Sequence, residues 1–268
     1  MQRRNMATEC APPRSVDPVF YAYEANVCQR VFDLHATAQG GGPFAAAIEL
    51  MASGVRAGGV MQSFGSGHSF GFAMEISGRA GGLIPSHAFR IEDLVLLGGY
   101  DVSVLADGTF ERDPRIADDL WELYDIQPAD VFLIASNSGA NGSVVGVALR
   151  AKQEGHPVIA VTSLEHSRGV TSKHPSGKRL FELADVVIDN LAPFGDCAVQ
   201  MGDGPKMGPV SSITSAFIAQ LLTLGTAQRI SQQGQRPQVY LSANIPGGDE
   251  HNNALQARYG RRINSYLR

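Results

Sequence analysis

Twice in this chain an apolar run breaks off directly into a turn of serine and glycine. VMQSF (60–64) runs into GSGHS (65–69), and VFLIA (131–135) runs into SNSGANG (136–142). A short apolar run without polar alternation suits a strand buried on both faces. Each turn is followed by helical spacing, in one case through Phe72 and Ile76, in the other over Val144–Glu154. Further apolar stretches at Leu83–Ile84, Pro157–Val161 and Val186–Ile188 alternate with helical patterns over Asp113–Tyr124 and up to Leu180–Ala184. Strands alternating with helices build a parallel sheet covered on both faces, so the expected fold class is α/β, a three-layer sandwich.

The flanks read as additions to this unit. Asp17-Pro18 opens a helical pattern through Val19, Phe20, Tyr23, Val27, Val31 and Leu34, with proline suited to a first helical position. Gln39–Pro43 ends it, and a second helix over Phe44–Val55 stops at Gly58-Gly59. Both helices read as a cap or subunit surface. Ile91–Leu97 is apolar and fits either helix or strand. Leu191–Pro209 reads as a long Gly/Pro-rich loop, Ser212–Ile230 as a long apolar helix, and the polar stretch from Ser242 onward as packing outside the sheet. With no internal repeat and no linker, residues 17–268 read as one domain, and residues 1–16 as a disordered tail.

At 268 residues and 44% hydrophobic content, the chain can bury a full core. Its formal net charge of −4 lacks the basic excess that nucleic acid or an anionic membrane surface would call for. No apolar run approaches the roughly 18 residues of a membrane span. The first 15 residues have no apolar core of a signal peptide. Cys10, Cys28 and Cys197 are scattered with no CxxC spacing, which argues against a disulfide framework and for a reducing compartment. A cytoplasmic protein without nucleic-acid or membrane partners is expected.

The two turns carry the chemistry. In open α/β sheets ligands bind outside the carboxyl ends of the strands. A helix start there offers unpaired N–H groups and a partial positive charge, which suit phosphate. Glycine admits close approach of the backbone, and serines such as Ser66 add hydroxyl donors without bulk. Other phosphate motifs fit poorly. No GK[ST] occurs, so there is no Walker A lysine. Gly65-x-Gly67 begins like a dinucleotide fingerprint, but Phe70 stands at the third glycine, and Pro85-Ser86-His87 stands where the ribose-binding acid belongs.

FGSGHS, SNSGANG and VIAVTS resemble the sugar isomerase (SIS) domain family, over roughly residues 43–230. GSGHSFGFAMEISGRAGGL, VIAVTSLEHSRGVTSKHPSGKRLFELADVVID and SANIPGGDEHN are similar to a stand-alone subgroup of it. The resemblance implies a five-stranded, flavodoxin-like parallel sheet flanked by helices. It also implies a phosphorylated sugar as ligand, and a homodimer or homotetramer with active sites shared at subunit boundaries. Carried over by position, the phosphate contacts are Ser69, Ser136, Asn137, Ser138 and Asn141, with Gly139 letting the chain turn. Asn141 stands where many members have Thr or Ser, and its amide is still a donor. Helix N-capping is the ordinary structural role of such serines and is compatible with ligand binding.

AMEISGRAGG further resembles the helix of phosphoheptose isomerases that carries a catalytic glutamate, at the place of Glu75. That implies aldose–ketose isomerisation through an enediol, in which a carboxylate takes a proton from one carbon and returns it to its neighbour. The plain alternative is an ion pair from Glu75 to Arg79 one turn on. Opening a sugar ring needs a second acid/base group, and of seven histidines His68, inside the first turn, and His251, in GGDEHNN, are the candidates. Some phosphoheptose isomerases use zinc, but their histidine one turn before the glutamate falls on Gly71. His68, Glu75 and His251 have no metal-ligand spacing. No cofactor is therefore expected. A lyase resembling N-acetylmuramate 6-phosphate etherase, an amino-sugar-phosphate deaminase and a non-catalytic phosphosugar sensor are the alternatives.

Overall fold

The computed structural model describes residues 18–264, so the expected tail at 1–16 lies outside them. Two helices open the fold, α1 (Pro18–Gln39) and α2 (Gly42–Arg56). Then follow β1 (Met61–Gly65), α3 (Phe70–Ile76), β2 (Ser86–Ala88), a one-turn α4 (Asp93–Leu96), α5 (Ile116–Trp121), β3 (Val131–Ala135), α6 (Gly142–Gln153), β4 (Val158–Thr162), α7 (Leu164–Arg168) and β5 (Val186–Asp189). These five strands are parallel throughout, in the order β2-β1-β3-β4-β5. That is the flavodoxin-like order, and its switch point lies between β1 and β3.

The apolar runs are continuous because both faces of the sheet are covered. In β3, Val131, Leu133 and Ala135 pack under α1, α2, α3 and α8 (Ser211–Gln232), while Phe132 and Ile134 pack under α5 and α6. Phe132 stacks on Trp121 with ring centroids 5.1 Å apart. Burying a side chain of this size contributes on the order of 2–3 kcal/mol.

The structure redraws three segments. Leu83–Ile84 is not a strand of the sheet. Pro85 follows it, the carbonyl of Pro85 accepts from Met61 N–H, and sheet pairing begins only at Ser86. Leu83 instead bridges antiparallel to Val239. The segment ending at Ala184 is a single 3-10 turn, Leu180–Glu182. Within the Gly/Pro-rich stretch 191–209 lies an antiparallel hairpin, β6 (Cys197–Gln200) with β7 (Lys206–Pro209). The polar C-terminal stretch contains α9 (Gly248–Gln256), outside the sheet as expected.

A buried polar row crosses the amino-terminal half of the sheet. Asp130 is fully buried and accepts from Val60 N–H (2.8 Å), Gln62 Nε2 (2.8 Å), Gln127 N–H (3.1 Å) and Arg262 Nη2 (2.5 Å). Gln62 in turn meets His87 Nδ1 at 3.1 Å through its Oε1. Burial, with Arg90 nearby, lowers the His87 pKa to about 4. Among the described residues no helix is long and apolar enough to cross a membrane.

Candidate functional site

β1 and β3 are neighbours in register, with Gly65 opposite Ala135, so both Ser/Gly turns leave the same end of the sheet at its switch point. The first turn is tight. A Cβ at Gly65 would lie 2.4 Å from the carbonyl oxygen of Ser69, so only glycine fits. Ser66 is buried and its carbonyl accepts from Ser69 N–H at 3.1 Å, while His68 is exposed and Ser69 half-buried.

The second turn is held from behind. Ser136 is buried, and its Oγ accepts from Gly139 N–H at 3.1 Å. Gly139 has φ +59°, in the left-handed region that favours glycine. The Asn137 side chain accepts from Asn190 Nδ2 at 3.1 Å and lies 3.4 Å from His166 Nδ1. The carbonyls of Asn137, Gly139 and Ala140 accept from Ser163, Leu180 and Lys173 N–H groups. With these carbonyls turned away, Ser138 sits half-buried at the tip, and the N–H groups at the start of the twelve-residue α6 have no intrahelical acceptor.

Two spaces adjoin the turns. A cleft of about 20 Å³, roughly one water, is lined by His68, Ser69, Ser136, Asn137, Asn190 and Ser212. On the other side of the first turn a cavity of about 410 Å³ opens against Ser66, Gly67, Phe70, Asp107 and Glu111. The cleft thus brings His68 and Ser69 together with Ser136 and Asn137, whereas Ser66 lines the cavity on the other side of the first turn, and Ser138 and Gly139 line neither space.

Three candidate residues stand differently from the simplest reading. Asn141 is already engaged, donating to Glu111 Oε1 at 2.7 Å and accepting from Lys173 Nζ at 3.1 Å. Glu75 lies one turn beyond Gly71 on α3, ion-paired with Arg79 and accepting from Gln220 Nε2 of α8 at 2.7 Å. His251 is not near the turns within the chain. Its Nε2 lies 2.9 Å from the carbonyl of Val239, which pairs with Leu83 ahead of β2, at the opposite end of the parallel sheet.

Sequence reasoning missed Asn190, Ser212, Glu111, Lys173 and Gln220. None adjoins the turns in sequence, and Glu111 is brought in by the docking of the 107–113 segment on the start of α6. Among the described residues no three His, Cys, Asp or Glu side chains converge as a metal-holding group.

These features define a class: a doubly wound α/β domain with two Ser/Gly turns side by side at the switch point. More closely, the chain belongs to the SIS domain family, whose model matches residues 22–163. A UPF0309 protein of Listeria monocytogenes is 36% identical over 218 residues, 81% of this chain and 88% of that protein. One from Halalkalibacterium halodurans is 38% identical over 211 residues, 78% and 86% respectively. Among solved structures, a phosphoheptose isomerase from Francisella tularensis superposes with a TM-score of 0.53 at 17% identity, covering 78% of this chain and 96% of that one. Phosphoheptose isomerase GmhA from Neisseria gonorrhoeae gives 0.50 at 17%, covering 77% and 96%. At such identity the likeness is one of fold.

Proposed function

We propose that this protein binds a phosphorylated sugar at the two turns and isomerises it between aldose and ketose through an enediol, without a cofactor. The observation that carries the reading is the in-register pairing of β1 with β3, which sets two Ser/Gly turns and two helix starts side by side. Ser69, Ser136, Ser138 and the first N–H groups of α6 receive the phosphate, with Lys173 supplying positive charge beside them. Glu75 is the group for proton transfer, held by Gln220 once it is released from Arg79. His68, at the rim of the cleft, is the group for ring opening. The two phosphoheptose isomerases of like fold support this direction. The phosphosugar ligand follows from the turns, whereas turnover rests on Glu75 leaving its ion pair with Arg79.

That pair favours a second reading, a binding protein without turnover, and one experiment separates the two. A sugar phosphate at a hundredfold excess over its dissociation constant stabilises the fold by about 2.7 kcal/mol, which raises Tm by roughly 5–10 °C at this size. A panel of sugar phosphates is screened this way, and hits are assayed for turnover with the wild type and Glu75→Gln. Isomerisation by the wild type, lost at least about 100-fold in the variant with the Tm shift retained, supports the enzyme. A shift with no turnover by either form supports the binding protein. If no sugar phosphate moves Tm, both readings fail.

A further inference from the structure

The segment between β2 and α5 lies against both turns, and Glu111 is the residue whose carboxylate reaches each of them. Its Oε1 accepts from Asn141 Nδ2 at 2.7 Å, and its Oε2 lies 3.4 Å from where a Cβ at Gly67 would be. The placement is built in. Ser143 Oγ donates to the Glu111 carbonyl at 2.6 Å. A Cβ at Gly142 would lie 2.0 Å from the Arg112 carbonyl oxygen, so glycine alone lets the segment dock on the first turn of α6. Upstream, Asp107 Oδ1 accepts from both Thr109 N–H (2.8 Å) and Thr109 Oγ1 (2.7 Å), fixing the approach to Phe110 and Glu111.

The carboxylate forms no ion pair with a described lysine or arginine; Lys173 reaches Asn141 instead. It lines the 410 Å³ cavity and takes the amide that would otherwise face an incoming anion. A phosphate dianion held at the start of α6 would therefore share the Asn141 side chain's surroundings with a negative charge, while the hydroxyls of an attached polyol reaching the cavity can donate to that charge. We propose that Glu111 is the specificity-determining residue of this site, favouring phosphate esters of polyols over inorganic phosphate. This rests on the phosphosugar reading and names the group that selects the ligand within it.

The test is calorimetric titration of the wild type, Glu111→Gln and Glu111→Ala with inorganic phosphate and with the sugar phosphates that raise the wild-type Tm. Circular dichroism checks that the variants fold, and the near-isosteric Gln keeps the Asn141 contact. Removing the charge tightens inorganic phosphate by at least about tenfold. The ester gains the same relief but loses its hydroxyl bonds to the carboxylate, so the ester-to-phosphate affinity ratio falls by about tenfold. A ratio unchanged in both variants overturns the role of Glu111 while leaving the phosphosugar reading standing. If the wild type binds neither ester nor phosphate, the phosphosugar reading fails and takes this inference with it.

Discussion

The buried imidazole of His87 makes a quantitative claim about acid stability. His87 is only 7% exposed and is wedged between the rings of Tyr124 (4.7 Å) and Phe89 (5.7 Å), with Gln62 Oε1 on its Nδ1. Burial is the larger cause that lowers its pKa from 6.5 to about 4, and the Arg90 charge adds to it. The unfolded chain therefore takes up a proton near pH 6.5 that the folded chain refuses until about pH 4. The stability that His87 contributes is complete above pH 6.5 and drains away as pH falls toward 4. Working the linkage through these two values gives a loss of about 2 kcal/mol by pH 5 and about 3 kcal/mol by pH 4. Urea unfolding between pH 7.5 and 4 measures it. His87→Gln, which keeps an amide beside Gln62 without a titrating ring, is the comparison. Carboxylates add their own acid dependence to both proteins, so the readout is the difference between the two curves. If the gap between wild type and variant stays constant from pH 7 to pH 4, the burial argument is wrong.

Two further outcomes follow from the packing. Gly65→Ala drives a Cβ into the backbone of Ser69 at 2.4 Å, which the turn relieves only by opening. The variant loses about 1–3 kcal/mol in urea unfolding, together with any Tm shift produced by sugar phosphates. Arg262→Met leaves the fully buried Asp130 without its cation and costs about 3–5 kcal/mol, and adding Asp130→Asn in the same chain recovers part of the loss.

The sheet was legible in the sequence because parallel strands covered on both faces leave unbroken apolar runs, as β3 does with Val131–Ala135. β2 was misplaced by a few residues because the most apolar pair, Leu83–Ile84, lies ahead of Pro85, whereas the true strand is the polar Ser86-His87-Ala88. The hairpin of β6 and β7 left no alternation to find: β7 is largely exposed, and its residues Lys206–Pro209 include glycine and proline. The turns themselves were readable, since serine and glycine after an apolar run have few other uses. Their supporting cast was not. Asn190 reaches Asn137 across 53 residues and Gln220 reaches Glu75 across 145, and such contacts exist only once the strands are ordered. For Glu75 the local partner, Arg79 one turn away, was visible in the sequence, while the cross-helix partner was not.

The bridge between Leu83 and Val239 has a further consequence. An open sheet ends in a row of unmatched backbone groups that can recruit a stray chain. Here the residues leading into the outermost strand are already occupied, as Gly81 N–H meets the Tyr240 carbonyl (2.9 Å), Ile84 N–H meets that of Gln238 (2.8 Å), and Tyr240 N–H returns a bond to Gly82 (2.9 Å). His251 braces the same segment through Val239. The stretch after α8 thus works as a selvedge for the approach to β2: the backbone groups of Gly81–Ile84 that would otherwise extend the open edge ahead of the strand are tied off within the chain.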